Sequence, residues 1–401
     1  MRQVAMRARY SQLAALTVWL AAPAVLTARQ AAPVPAQDND PVEVAMDHTR
    51  NLEYGQARQQ LESWLAKHPG DLRALNYLAS TMIQSQIFER EMADGRLVSG
   101  SLRKGDPPVS EEFRRELFRA LDRAEAAAND RLRQNASDQE ALYWIGITYM
   151  IRSVYQIGFA HSNTSALKDA KQARNYHVQL QRLNPSHADA RLLPGMYDYI
   201  AGSIPWYMKI LTTIIGLSGN KQRGLAAMER AAKEGTWSKV EARQFLAIFY
   251  FREKRYGEAN ALMEQLSREY PRNFVYFQHI ARTYKTQNNW RKAAETYEMM
   301  ANRYSSGTPG YHKLPVAKTL YLAGEAYARA GDLKRAEELY AEAERRDDNN
   351  IFVYRAALAA GGVDQQMRRI EEARRRFQRV ATAVPATDEG KAAIERLKKL
   401  R

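Results

Sequence analysis

From about residue 50 onward, apolar side chains recur three and four positions apart in nearly every segment, and alternating β-branched runs are scarce. That spacing puts one apolar stripe along each of many helices and predicts an all-α chain. A longer period is superimposed on it. Between Val240 and Asn273 the order is Leu246, Ala247, Tyr250, Tyr256, Ala259, Met263, Leu266 and Pro271. Residues of the same kinds follow at Phe277, Ile280, Ala281, Tyr284, Trp290, Ala293, Tyr297 and Met300. After the insertion SSGTPGYHKLP, a third copy gives Leu320, Ala323, Gly324, Tyr327, Leu333, Ala336, Tyr340 and Ala343. A repeat of about 34 residues predicts tandem helical hairpins, each leaving bare an apolar face that its neighbour covers.

This order of residues resembles the tetratricopeptide-repeat superfamily. The resemblance implies an α-solenoid, a right-handed superhelix of helical hairpins whose first helices line a concave groove. It also implies a protein-binding scaffold and not an enzyme. Weaker copies extend upstream through Ala57, Leu61, Trp64 and Pro69, then Leu75, Leu78, Ala79 and Met82, then Leu142, Ile145, Gly146 and Tyr149. The expected organisation is degenerate repeats over 50–194 with an insertion at 84–110, an apolar connector over 195–239, three regular repeats over 240–350, and a last degenerate repeat with a capping helix over 351–401. Thr387 or Asp388 is expected to cap that final helix, and lysines cluster at its end.

The connector departs from the repeat. From Ile200 to Leu217 the only charge is Lys209, and Ile204, Pro205, Trp206 and Tyr207 lead into an apolar run. Two readings stand: a helix buried between the halves of the array, or a surface that touches membrane or partner through Trp206, Tyr207, Lys209 and Ile210. The stretch is similar to a segment of the inclusion-body clearance family of tetratricopeptide proteins at Gly202, Ser203, Pro205, Ile210 to Leu217, Gly219, Arg223 and Gly224. That likeness implies architecture only.

The N-terminal sequence changes the expected location. A basic stretch, MRQVAMRARY, precedes the apolar run LAALTVWLAAPAVL, which is short and broken by Pro23. This pattern predicts a secretory signal over residues 1–36, with cleavage after Ala36 or Ala24, followed by a flexible linker over 37–49. The chain is then expected to be exported, periplasmic or secreted, with membrane association left open. Formal net charge is +15. Removing Arg2, Arg7, Arg9 and Arg29 with the signal leaves it basic, which favours acidic protein surfaces or anionic lipid as partners and, outside the cell, disfavours nucleic acid.

Candidate chemistry is sparse. Cysteine is absent, which excludes disulfides, thiolate metal sites and cysteine nucleophiles. His48, His68, His161, His177, His187, His279 and His312 form no helical metal pair, and HExxH, GxSxG and a P-loop are missing. No metal or cofactor is therefore expected, and His177 falls at a packing position. The expected binding surface is the groove, where Gln244, Phe251, Arg252, Gln278, Arg282, Lys285, Lys318, Tyr321, Glu325 and Arg329 alternate basic and aromatic groups suited to a protein segment or acidic peptide. Lys318 fits one place of the lysine-rich clamp that holds chaperone tails in part of the superfamily. Gln244, Ile248, His279 and Leu322 do not match the others, so that ligand is not expected.

Overall fold

The computed structural model describes residues 40–90, 108–204, 218–346 and 350–400. Its first element contradicts the expected linker. The Asp40 side chain accepts a hydrogen bond from the Val42 amide at 3.0 Å, and Pro41 occupies the first turn, where a missing N–H costs nothing. Val42, Ala45, Met46 and Thr49 then share one buried face, so Pro41–Arg50 is a helix, α1. The proline and the acidic residues hide that short three-and-four pattern within a segment that reads as polar.

Helices pair in chain order. α1 pairs with α2 (Tyr54–Lys67), α3 (Leu72–Glu89) with α4 (Glu111–Gln134), and α5 (Gln139–Gly158) with α6 (Asn163–Leu183). α7 (Leu192–Gly202) pairs with α8 (Lys221–Glu234), α9 (Lys239–Arg252) with α10 (Tyr256–Glu269), and α11 (Val275–Thr286) with α12 (Trp290–Ser305). α13 (Val316–Arg329) and α14 (Leu333–Glu344) follow, then α15 (Ile351–Gln366), α16 (Ile370–Ala383) and the terminal α17 (Asp388–Lys399). Among the described residues these seventeen helices and two single 3-10 turns account for the regular structure, and no strand occurs. α3 continues to Glu89, so the insertion expected from residue 84 begins later, and within the expected connector Lys221–Glu234 is a helix paired with α7.

Two local rules build the hairpins. Five of them turn through one left-handed residue two places beyond the first helix: Leu52, Lys254, Asn288, Gly331 and Arg368. Across each hairpin, size is matched. A Cβ on Gly324 would lie 2.7 Å from the Tyr340 ring, and one on Gly361 would lie 2.5 Å from the Phe377 ring. Neighbouring hairpins are tied by a recurring tyrosine-to-glutamate bond: Tyr149 to Glu125 and Tyr250 to Glu229, both 2.6 Å, and Tyr327 to Glu298 at 2.5 Å. An arginine faces each of those glutamates, namely Arg152, Arg255 and Arg335. α7 and α8 approach more closely still, because a Cβ on Gly195 would meet the Gly224 carbonyl at 2.9 Å. Arg223 closes that pair on Asp198 at 2.7 Å. Gly224 and Arg223, which carry the likeness noted above, thus serve helix packing.

The array also meets itself. Leu52, at the tip of the first hairpin, is buried and shares a core with Phe274, Tyr311 and Leu314. Ring contacts run from Tyr54 to Phe88, Phe88 to Phe274 and Phe274 to Tyr311 at 5.8, 5.9 and 6.0 Å. Lys313 donates to the Leu52 carbonyl at 2.7 Å and Asn273 to the Arg50 carbonyl at 2.8 Å. Arg272 reaches Glu53 at 2.7 Å, and Glu53 also pairs with His48 at 2.6 Å. Burial raises the Glu53 pKa, but the bonds from His48 and Arg272 outweigh it and the carboxyl is held below its usual range. Arg50 meets Glu241 at 3.1 Å beside Tyr270; burial opposes its charge, yet these neighbours raise its pKa. Gly310 has φ of 86° and backs directly onto the Arg272 carbonyl, so no side chain fits there.

Stability measurements on this contact region and on the core follow. Leu52→Ala should lower unfolding free energy in urea by roughly 2–4 kcal/mol through the lost apolar burial. Gly310→Ala should cost more than Gly307→Ala, which shares a positive φ but has open space around it and should cost about 1 kcal/mol; equal costs would show that the approach to Arg272 is unimportant. His177 supplies a test in the core. Its ring is fully buried against Gly146, its Nε2 lies 3.1 Å from the Tyr143 carbonyl, and burial pushes its pKa from 6.5 to about 4. Between those values the unfolded chain binds the proton and the folded chain does not, so stability is full above pH 6.5 and falls as pH drops toward 4. The loss should reach on the order of 3 kcal/mol, and His177→Leu should flatten that part of the pH–stability curve.

Candidate functional site

Each first helix from α9 to α13 begins under the N-terminal hairpin and ends away from it. α9 starts beside the Arg50–Glu241 pair and ends with Phe251 and Arg252; α11 starts beside Arg272 and Asn273 and carries Arg282 and Lys285 toward its end. α13 follows Lys313 and Leu314 and ends at Arg329. The far ends therefore form a surface, extended by Tyr199 near the end of α7 and, at the starts of α13 and α15, by Lys318, Phe352 and Arg355.

Along this stripe cations lie on rings and between carboxylates. The Arg252 guanidinium stands 5.8 Å from the Tyr199 ring and that of Arg282 stands 4.9 Å from the Phe251 ring. Lys285 pairs with Glu325 at 2.9 Å, and Arg329 lies 3.8 Å from the same carboxylate and 4.8 Å from the Trp290 ring. Lys318 and Arg355 flank Phe352 at 5.6 and 4.8 Å, Tyr321 meets Phe352 at 5.7 Å, and Arg355 bonds Glu389 at 2.6 Å. Tyr199 donates to Glu253 at 2.8 Å, where Lys221 also binds. Glu253, Glu325 and Glu389 are thus outnumbered by Lys221, Arg252, Arg282, Lys285, Lys318, Arg329 and Arg355. Arg252, Arg282 and Arg329 are exposed. A cation resting on an aromatic face holds its charge in a defined place with little rotamer freedom, which suits it to receive a carboxylate.

The expected groove residues do not all share this surface. Gln244 is taken out of an open groove: it lies near the start of α9, and its amide donates to the Tyr276 hydroxyl at 2.8 Å. Gln278 is half-buried on α11. Lys285 serves a salt bridge between helices as well as the stripe. The sequence reading missed Tyr199, Phe352 and Arg355, because the fourth and eighth hairpins lie outside the three regular repeats. Trp206, Tyr207, Lys209 and Ile210 lie outside the described residues.

Two other concentrations of charge are internally matched. Arg369, which precedes the arginine-rich α16, and Arg376 within it reach Asp364, which is fully buried, and Arg379 reaches Glu344 at 3.0 Å. A depression of about 610 Å³ is rimmed by His68, Arg73, Arg131, Glu140 and Trp237. Its arginines are already paired, Arg73 with Asp40 at 2.6 Å and Arg131 with Asp138 at 2.8 Å. Among the described residues no group of three or more metal-ligating side chains converges, and no helix is long and apolar enough to cross a membrane.

No protein-family model and no curated protein sequence matches the chain. Solved structures of helical-repeat proteins do. A thermophilic tetratricopeptide-repeat protein of Thermus thermophilus aligns at 15% identity over 62% of this chain and 98% of its own, with a TM-score of 0.34. Yeast Tom70 aligns at 13% identity over 90% and 89%, with a TM-score of 0.34. The human IFIT1 dimer with m7Gppp-AAAA aligns at 14% identity over 91% and 86%, with a TM-score of 0.37. No residue's role is taken from these alignments. On its own paired helices, matched small and large residues and recurring turn geometry, the chain has the helical-repeat fold of the tetratricopeptide proteins.

Proposed function

We propose that this chain is a non-enzymatic scaffold that binds an extended, acidic segment of a partner protein along the stripe from Tyr199 to Arg355. The observation that carries this reading is the excess of cations over carboxylates on that surface, with Arg252, Arg282, Lys318 and Arg355 each set against an aromatic ring. A carboxylate bound by an arginine forms a charge-assisted hydrogen bond, and the adjacent rings give apolar side chains of the segment somewhere to lie. The N-terminal sequence supports placing this activity in the periplasm or outside the cell.

The test is fluorescence anisotropy with a labelled peptide of alternating glutamate and tyrosine, set against its lysine counterpart. The unaltered chain should bind the acidic peptide in a salt-sensitive way and ignore the basic one. Reversing Arg252, Arg282 and Arg329 to glutamate, all exposed, should weaken binding by roughly a hundredfold, equivalent to about 3 kcal/mol, with helix content by circular dichroism checking that the array stays folded. Equal binding by the reversed variant would overturn the stripe. Recovery of both proteins on liposomes, lost when Trp206 and Ile210 become polar, would instead favour docking through 200–217.

A further inference from the structure

The turn residue of the first hairpin is out of character. Lys254, Asn288, Gly331 and Arg368 occupy the equivalent left-handed position in later hairpins and are exposed, whereas Leu52 is buried. A leucine in that conformation costs roughly 1–2 kcal/mol, and neither the turn nor the first hairpin's own packing requires it. What it contacts accounts for it: a core built from the segments that precede α11 and α13. Arg50, three residues from the turn's end, reaches Glu241 at the start of α9. One tip thus engages the beginnings of three consecutive first helices, and the other ends of the same three helices carry Phe251, Arg252, Arg282, Lys285 and Arg329.

We propose that the first hairpin is a clasp that fixes the spacing of α9, α11 and α13 and thereby sets the binding stripe at their far ends. Hairpins in an open solenoid contact only their neighbours, so small changes at each interface alter the curvature. The clasp removes that freedom for the fifth to seventh hairpins. Helices are stiff over the length of α9, α11 and α13, so spreading at their beginnings is transmitted to their ends. The clasped array presents the stripe at one spacing; the unclasped array presents a range of spacings and a weaker site. Coupling is reciprocal, so a segment that bridges the stripe also holds the clasp shut. The functional half of this inference rests on the stripe being the binding surface; the mechanical half does not.

The absence of cysteine makes the test direct, because introduced pairs can be spin-labelled without background. Gln56→Cys with Arg268→Cys reports on the clasp, and Gly257→Cys with Ala330→Cys reports on the width of the stripe, all four positions being exposed. The clasp is opened by Leu52→Gly with Arg272→Glu; glycine suits the turn, so the first hairpin itself keeps its local structure. It is locked by a disulfide between Asn51→Cys and Asn273→Cys. Opening should lengthen and broaden both distance distributions, the stripe pair by more than about 3 Å, and the lock should narrow it. Affinity for the acidic peptide should fall roughly fivefold or more on opening and recover with the lock. An unchanged stripe distribution after the clasp pair has separated would overturn the proposal. So would a clasp pair that stays closed in the Leu52→Gly, Arg272→Glu variant, since other contacts would then be holding it. Peptide binding absent from every variant would sink the proposed function while the distance measurements still decide the mechanics.

Discussion

The burial of Leu52 in one core with Phe274, Tyr311 and Leu314 is the constraint that ties the first hairpin to the later ones. It turns a linear stack into one that touches itself, so the fifth to seventh hairpins are held from two directions. The energetics are asymmetric. Burying the leucine contributes roughly 2 kcal/mol, which offsets its unfavourable backbone. The ion pairs around it contribute less than their number suggests, because desolvation opposes the attraction of charges such as Arg50 and Glu241. The apolar tip supplies the attraction, and the charges and backbone bonds restrict which loops it enters. Gly310 completes the fit by letting the backbone lie against Arg272.

Below that level, the fold is a matter of matched volumes. At three first-helix glycines the second helix presents a ring: Gly146 faces His177, Gly324 faces Tyr340, and Gly361 faces Phe377. The fully buried His177 therefore acts as an aromatic filler, and its neutral state is a condition of the packing and not a sign of chemistry. Tyrosines at the next turn of the first helices reach back to glutamates of the preceding hairpin, so the same residue type fills the core with its ring and ties the interface with its hydroxyl.

Charge is distributed in two ways. In the clasp and on α16 arginines are matched by carboxylates, and this uses them up in holding helices together. On the stripe they outnumber the acids and rest on rings, a placement that leaves a net positive face of fixed shape. A high net charge spread evenly would say little about binding; its concentration along one surface, with Arg252, Arg282 and Arg329 toward the ends of α9, α11 and α13, is what gives it meaning.

The sequence by itself determined the class of fold, the period, and the positions of the small and large residues of the hairpins, because those depend on neighbours within one or two repeats. The register of the repeat also assigned Phe251, Arg252, Arg282, Lys285, Tyr321 and Arg329 to one expected groove. Tertiary structure decided what depends on residues far apart in the chain. The segment read as a linker is α1, because Val42, Ala45 and Met46 have a core to enter. Gln244 is engaged with Tyr276 because α9 and α11 bring them together. Above all, the role of Leu52 lies in partners more than two hundred residues away, as the Lys313 and Asn273 bonds to its turn show. A leucine at a turn position was the one local sign of it, and only closure of the array gave that sign a physical cause.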